Sequence, residues 1–374
     1  MDPAAPTGWG PTKGELARAR DLVAAMPMRA QVAEVLMPGF WGHDATTPTV
    51  AEKSQNRAMH GVDTPAEAVT TDAFGGVFLR PEVISDADQV RGLAVGLHEV
   101  GDRPDGLPML VSIDQEGGVV QRLKVGVDAV PSAASIGAKD DPAYARKVAR
   151  ANGSTLRGLG VTMVMAPIAD VDPDGTSVMG SRTYSPDRAV AARMVSATVL
   201  GYLEAGVIPA VKHFPGLGTV TGDSHHSLPK QPKSLGELRR TDLVTFEAAI
   251  KAGAPVIMTG HVAVEALDPG TPASISPKVL QGLLRDTLGF QGVAVTDSQG
   301  MGPINGPFNS GEGAVLSLLA GNDLVLNSPY PGRARRAVAA AVRSGRLPAS
   351  RVAEAAARVL ALRIYQQRIA SAAG

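Results

Sequence analysis

Short, almost uninterrupted apolar runs alternate with amphipathic helical stretches along nearly the whole chain. No other feature narrows the fold as much. The runs are Val32–Phe40, Gly76–Leu79, Met109–Asp114, Thr162–Val171, Val207–Phe214, Val256–Val262, Val293–Asp297 and Asp323–Asn327. Most are continuous in Val, Ile, Leu, Met and Ala, the pattern of strands covered on both faces of a parallel sheet. Helical stretches lie between them at Asp86–Val100, Asp141–Gly158, Ala189–Ala205, Leu235–Ala252, Pro277–Leu288 and Gly311–Ala320. Two more, Ala334–Ser344 and Ala349–Ala370, close the chain. Ser276-Pro277 reads as a helix start, and Gly158 and Gly206 read as helix ends. Eight strands with helices between most of them predict an α/β fold, a single (β/α)8 TIM-type barrel with long loops at its catalytic face. The barrel is expected over residues 29–374, after a tail and leading helix in residues 1–28. The 374 residues suit such barrels, which run from about 200 to over 400 residues as one unit. Long loops follow the first strand (41–74), the fifth (215–233) and the seventh (298–311). A doubly wound sheet is the alternative. Against it, no Gly-rich turn follows the first strand and no linker divides the chain into halves.

Composition removes several function classes. Cysteine is absent, which excludes disulfide scaffolds, thiol nucleophiles, Cys-ligated zinc and iron–sulfur clusters. Lys+Arg and Asp+Glu number 36 each, with no basic run, so neither nucleic acid nor acidic lipid is an expected partner. No run of about 18 apolar residues exists to span a membrane. The N-terminus, Met1-Asp-Pro-Ala-Ala-Pro-Thr-Gly-Trp-Gly-Pro, lacks the charged and apolar regions of a signal peptide. A cytoplasmic location is the default expectation. An exported or cell-wall-associated protein is the expectation if this Pro/Gly tail remains from a trimmed targeting segment.

In a barrel, the residues that end each strand face the active site. The third run ends in Asp114-Gln115-Glu116, the fourth in Asp170-Val171-Asp172, the fifth in Lys212-His213-Phe214, the sixth in Gly260-His261 and the seventh in Thr296-Asp297-Ser298. An acid or base after each of five strands points to a pocket, although any single one also reads as a turn or helix cap. The loop after the fifth run, Lys212-His-Phe-Pro-Gly-Leu-Gly-Thr-Val-Thr-Gly-Asp-Ser-His-His-Ser-Leu-Pro229, has three functional readings. Gly216, Gly218 and Gly222 suggest a dinucleotide turn, but no helix start follows them. Asp223, His225 and His226 suggest a metal site, but adjacent histidines point differently and no further ligand lies nearby. Asp223 and His225 also form a local Asp-x-His pair, in which the carboxylate orients the imidazole for proton transfer. A polar loop without a chemical role is the remaining alternative.

Lys212-His-Phe-Pro-Gly-x-Gly, with Asp223-Ser-His225 and Leu228-Pro229 downstream, resembles the pattern of glycoside hydrolase family 3 β-N-acetylglucosaminidases of the single-domain bacterial type. Ile113-Asp114-Gln115-Glu116-Gly117-Gly118 with Gln121-Arg122, Met165-Ala166-Pro167 through Asp172, Gly180-Ser-Arg182-Thr-Tyr184, His261, Pro272-Ala273-Ser274 and Gly289-Phe-Gln-Gly292 into Asp297 occur in the family's order. The resemblance implies a retaining exo-acting hydrolase of N-acetylglucosamine-containing cell-wall or chitin-derived glycans, with no cofactor or metal, acting as a monomer. It implies Asp297 as nucleophile, His225 as acid/base and Asp223 as its orienting partner. It further implies that Asp114, Arg122, Arg182, Lys212 and His213 hold the sugar. The chain departs from the family at Leu217, where His is usual, and at Val119, where Arg is usual. Within the same fold a phosphorylase is an alternative, because a histidine acid/base does not repel incoming phosphate. A β-glucosidase is another, and an inactive sugar-binding barrel is the non-enzymatic one.

Overall fold

The computed structural model describes residues 2–100, 106–220 and 222–374. Eight parallel strands occupy the eight apolar runs: β1 (Leu36–Met37), β2 (Gly76–Phe78), β3 (Leu110–Ile113), β4 (Met163–Val164), β5 (Ile208–Phe214), β6 (Val256–Thr259), β7 (Val293–Thr296) and β8 (Val325–Leu326). β2 through β7 form one sheet in chain order, each strand parallel to the next. β1 pairs with β8, Leu36 opposite Val325 and Met37 opposite Leu326. Single parallel bridges at Gly39–Phe78 and Val295–Leu324 link that pair to the two edges of the sheet. The result is a curled parallel sheet with its helices outside. Its strands are buried throughout, which is why their sequences do not alternate.

The helices start where polar side chains satisfy the first free N–H groups. Asp86, Asp141, Asp187, Ser234 and Asn309 each accept from the backbone of the first turn. Helix Pro142–Gly158 lies against Arg188–Glu204, which in turn lies against Leu243–Lys251. Their apolar faces and the outer faces of β5 and β6 meet in one core cluster, with Val211, Phe214, Phe246 and Ile257 among its members. Helix Lys13–Ala25 packs on Ala349–Ala373. Trp9 is buried there, and Arg368 binds Glu15 and the Gly10 carbonyl. Among the described residues no helix is long and apolar enough to cross a membrane.

Several expected elements differ. The first run begins as helix Met28–Glu34, and its strand is confined to Leu36–Met37. A short apolar run does not distinguish a buried helical turn from a strand. β4 stops at Val164, well short of Val171. The helix expected over Leu235–Ala252 is two, Leu235–Arg240 and Leu243–Lys251. Buried Asp242 lies at the break, where it binds Lys233 and accepts from Thr219 and Thr241. The helix end assigned to Gly158 is completed by Gly160, which carries the left-handed φ of +80°. The loop 41–74 holds two helices, Val50–His60 and Pro65–Thr71. Each has a capping box, Thr49 with Glu52 and Thr64 with Glu67.

Candidate active site

Beyond the carboxyl end of β3, Asp114 and Glu116 are brought against two cations, one on β5 and one in the short 3-10 turn Gly180–Arg182 that lies after β4. Lys212 on β5 donates to Asp114 Oδ1 at 2.8 Å and lies 2.7 Å from Glu116 Oε1. Arg182 donates to both oxygens of Glu116 at 2.8 Å, a bidentate fork. Glu116 is 6% exposed. Burial pushes its carboxyl up, but Lys212 and Arg182 outweigh burial and hold it at about 2. Burial likewise works against the Lys212 ammonium, yet Asp114 and Glu116 raise it above its ordinary value. Glu116 and Lys212 therefore favour their charged forms and present fixed donors and acceptors.

His213, next to Lys212 on β5, has its Nδ1 2.8 Å from Asp170 Oδ2. Asp170 Oδ1 also accepts from the Leu217 backbone at 2.7 Å. One buried carboxylate thus orients the His213 ring and fixes the first turn of the long loop. Leu217 is buried in the core, whereas Val119 is exposed at the turn between Gln115–Gly117 and Val120–Gln121. Arg122 stands apart from the other expected sugar contacts. It is exposed, and among the described residues it forms no ion pair.

Asp297 ends β7. Its backbone N–H donates to Thr259 on β6, and its Oδ1 accepts from the Ser298 N–H at 2.7 Å. Burial raises its carboxyl, but His213, His261, the Ser298 N–H and Lys212 together hold it below the usual carboxylate range. His261 is buried, with Nδ1 2.7 Å from Ser274 Oγ and Nε2 2.9 Å from the Ser298 carbonyl. Burial lowers its basicity, and the charges of Asp297, His213 and His225 all act on it.

On the long loop, Asp223 Oδ1 accepts from the His225 backbone at 2.9 Å and lies 2.6 Å from His225 Nδ1. The His225 N–H is the main reason that the Asp223 carboxyl is held below its ordinary value. His225 keeps 64% of its side chain exposed. The two histidines do not point wholly apart. His226 Nε2 lies 4.0 Å from Asp223 Oδ2, though the ring is 84% exposed. Among the described residues no cluster of three or more His, Cys, Asp or Glu is arranged to hold a metal ion. The dinucleotide reading of the glycines also fails on geometry. A Cβ on Gly218 would stand 2.1 Å from the Val171 carbonyl oxygen, and the next helix starts only at Leu235. Close backbone packing, not phosphate, requires glycine at 218.

Glu116, visible in the sequence as part of a strand-end run but given no role there, is the centre of the charged corner. It sits two positions after Asp114, and period two in an extended segment puts both on one face. Asp170 was visible as a strand-end acid, but its use as the His213 anchor was not.

The model of the glycosyl hydrolase family 3 N-terminal domain matches residues 29–362. A beta-hexosaminidase of Stenotrophomonas maltophilia (strain K279a) is 37% identical over 236 residues, covering 62% of this chain and 69% of the relative. The structure of a glycoside hydrolase family 3 beta-N-acetylglucosaminidase from Paenibacillus sp. str. FPU-7 superposes with a TM-score of 0.83 at 36% identity, over 92% of this chain. This chain spans 63% of the length of that protein. A beta-N-acetylhexosaminidase from Beutenbergia cavernae DSM 12333 gives 0.78 at 31% identity, over 91% of this chain and 99% of that one. With the family's domain running through nearly all of its strands and helices, the chain belongs to glycosyl hydrolase family 3 and is a glycoside hydrolase.

Proposed function

We propose that the protein is a retaining exo-β-N-acetylglucosaminidase. It removes terminal β-linked N-acetylglucosamine from cell-wall muropeptides or chitin-derived oligosaccharides. The observation that carries the reading is the 2.6 Å contact between Asp223 Oδ1 and His225 Nδ1. With Nδ1 held by the carboxylate, Nε2 is the nitrogen left for proton transfer. The names of the similar proteins, beta-hexosaminidase and beta-N-acetylglucosaminidase, support the sugar.

In this reading Asp297 attacks the anomeric carbon as a carboxylate, the form that His213, His261 and Lys212 favour. The bond to the departing oxygen breaks, and that oxygen takes the Nε2 proton of the His225 imidazolium. Water then attacks the glycosyl-enzyme and gives a proton back to Nε2, and Asp297 leaves as carboxylate. Asp114, Arg122, Arg182, Lys212 and His213 hold the sugar hydroxyls. The same reading takes the sheet as a closed (β/α)8 barrel, and the single bridges Gly39–Phe78 and Val295–Leu324 support closure.

The test is turnover of an aryl β-N-acetylglucosaminide with and without phosphate, with the first-formed product read by NMR. Release of β-N-acetylglucosamine in both conditions is expected. An α-configured first product would overturn retention, and a sugar 1-phosphate would make the enzyme a phosphorylase. Parallel assays on a muropeptide and on chitobiose decide the natural substrate.

A further inference from the structure

The stretch behind Asp297 turns into a short helix, Gly302–Asn305, with the Met301 and Asn305 N–H groups satisfied within the turn itself. The Gly302 N–H instead leaves the turn and donates to the His225 carbonyl at 3.1 Å. Among the described residues, this is the one hydrogen bond that ties the segment 222–228 to the rest of the chain. The segment's other bonds are internal, from His225, His226 and Ser227 back to Asp223. Its flanks are held separately. Asp170 and Asp242 fix the residues before it, and Ala263 donates to the Pro229 carbonyl after it.

The approach at Gly302 leaves no room for a side chain. A Cβ there would stand 2.3 Å from the His226 carbonyl oxygen, 2.7 Å from the His226 carbonyl carbon and 3.2 Å from the His225 carbonyl oxygen. All three atoms are backbone, so no rotamer change relieves the clash. The loop or the turn must give by about 1 Å to reach ordinary contact. Nor is glycine demanded here by a left-handed φ, since Gly302 is not among the positive-φ glycines. The space is kept for the loop.

We infer that Gly302 is a positioning residue for the acid/base. It docks the Asp223–His225 segment onto the short helix that follows Asp297 and so sets the distance between the two groups. The inference rests on the proposed acid role of His225. It also names a physical link between nucleophile and acid: only four residues separate Asp297 from the residue that seats the loop.

Gly302→Ala is the direct test, read in two independent ways. Hydrogen exchange over 222–229 reports docking without turnover, and faster exchange is expected in Gly302→Ala than in wild type. Kinetics on a leaving-group series report the chemistry. Losses should reach about 10²-fold for alkoxide leaving groups and stay within a few-fold for activated aryl oxides, at the low end of general-acid contributions. Inhibition by N-acetylglucosamine should be unchanged, which a misfolded variant would not achieve. Gly302→Ala combined with His225→Ala should be no worse than His225→Ala alone, because both remove the same function. Unchanged exchange in Gly302→Ala overturns the docking role. Faster exchange with equal losses across the series, while His225→Ala remains strongly leaving-group dependent, overturns the positioning role. A flat series for His225→Ala itself sinks the acid assignment beneath both.

Discussion

Asp297 is favoured as a carboxylate by His213 and Lys212 on β5 and by His261 and the Ser298 N–H just past β6 and β7, and its own side chain supports little else. Asp297→Ala should therefore abolish turnover while the urea midpoint stays close to wild type. A mechanism-based fluorosugar should label Asp297, and labelling at another carboxylate would remove it as nucleophile. The two arginines proposed to hold the sugar separate cleanly. Arg182→Ala deletes the fork to Glu116, where charge-assisted hydrogen bonds are worth roughly 1.5–3 kcal/mol each. It should lower kcat/KM by about ten- to hundred-fold and also lower the urea midpoint, because Glu116 keeps only Lys212. Arg122→Ala, at an exposed position without an ion pair among the described residues, should weaken kcat/KM without moving the midpoint. Wild-type kinetics in Arg122→Ala would take that residue out of the site. His226→Ala should change little, since an exposed ion pair contributes about 0–1 kcal/mol.

The elements show which parts of this architecture are written locally. All eight strands lie inside the apolar runs that announce them, because burial on both faces leaves a continuous hydrophobic signature. The helix starts are equally local, a single Asp, Ser or Asn before each first turn. The two helices in 50–71 were also legible, as Thr-x-x-Glu boxes at Thr49 and Thr64, but short helices between strands are easily read as loop. The break at Asp242 was not legible. Its cause is a carboxylate bound to Lys233 and Thr219 from elsewhere in the chain, and no local propensity records such partners. The same holds in the site. Strand-end acids and bases are visible one by one, but the pairing of Glu116 with Arg182, 66 residues on, is visible only in the fold. A buried carboxylate at the amino end of β8 makes the point energetically. Asp323 binds Arg285 and Arg351 at 2.7 Å and Arg358 at 3.1 Å, joining β8 to helices Lys278–Thr287 and Ala349–Ala373. Asp323→Ala removes the one carboxylate that all three arginines share, leaving Glu354 to Arg351 and Arg358 and only the Phe290 and Gly292 carbonyls to Arg285. Breaking a buried pair costs about 3–5 kcal/mol, so urea denaturation should show a loss of that size. A loss below about 1 kcal/mol would mean that the arginines find water instead.

Over the whole molecule, two such carboxylates sit at opposite ends of the sheet, Glu116 beyond β3 and Asp323 before β8, and both are held at about 2. For each, burial alone would raise the value, and neighbouring cations reverse it: Lys212 and Arg182 for Glu116, and Arg358, Arg285 and Arg351 for Asp323. Unfolded, these groups titrate at 4.5 and 3.8. Between those values and about 2 the unfolded chain binds protons that the folded chain does not, so stability falls as pH falls. The contribution is fully present above about pH 5 and is lost progressively from there toward pH 2. General protonation of the other surface acids adds self-repulsion on the same side of neutrality, so the wild-type curve alone does not isolate the two groups. Glu116→Gln does. It removes one titrating site while keeping a polar acceptor for Arg182. This variant should be less stable than wild type at pH 7 and should lose less on acidification, so the two curves converge near pH 2. Asp323→Asn should converge in the same way, and at pH 7 it should retain wild-type KM because its charge lies at the far end of the strands from the site. Parallel curves from pH 7 to 3 for wild type and Glu116→Gln would show that Glu116 is not held ionised by its cations, and the charged corner beside Asp114 would lose its basis.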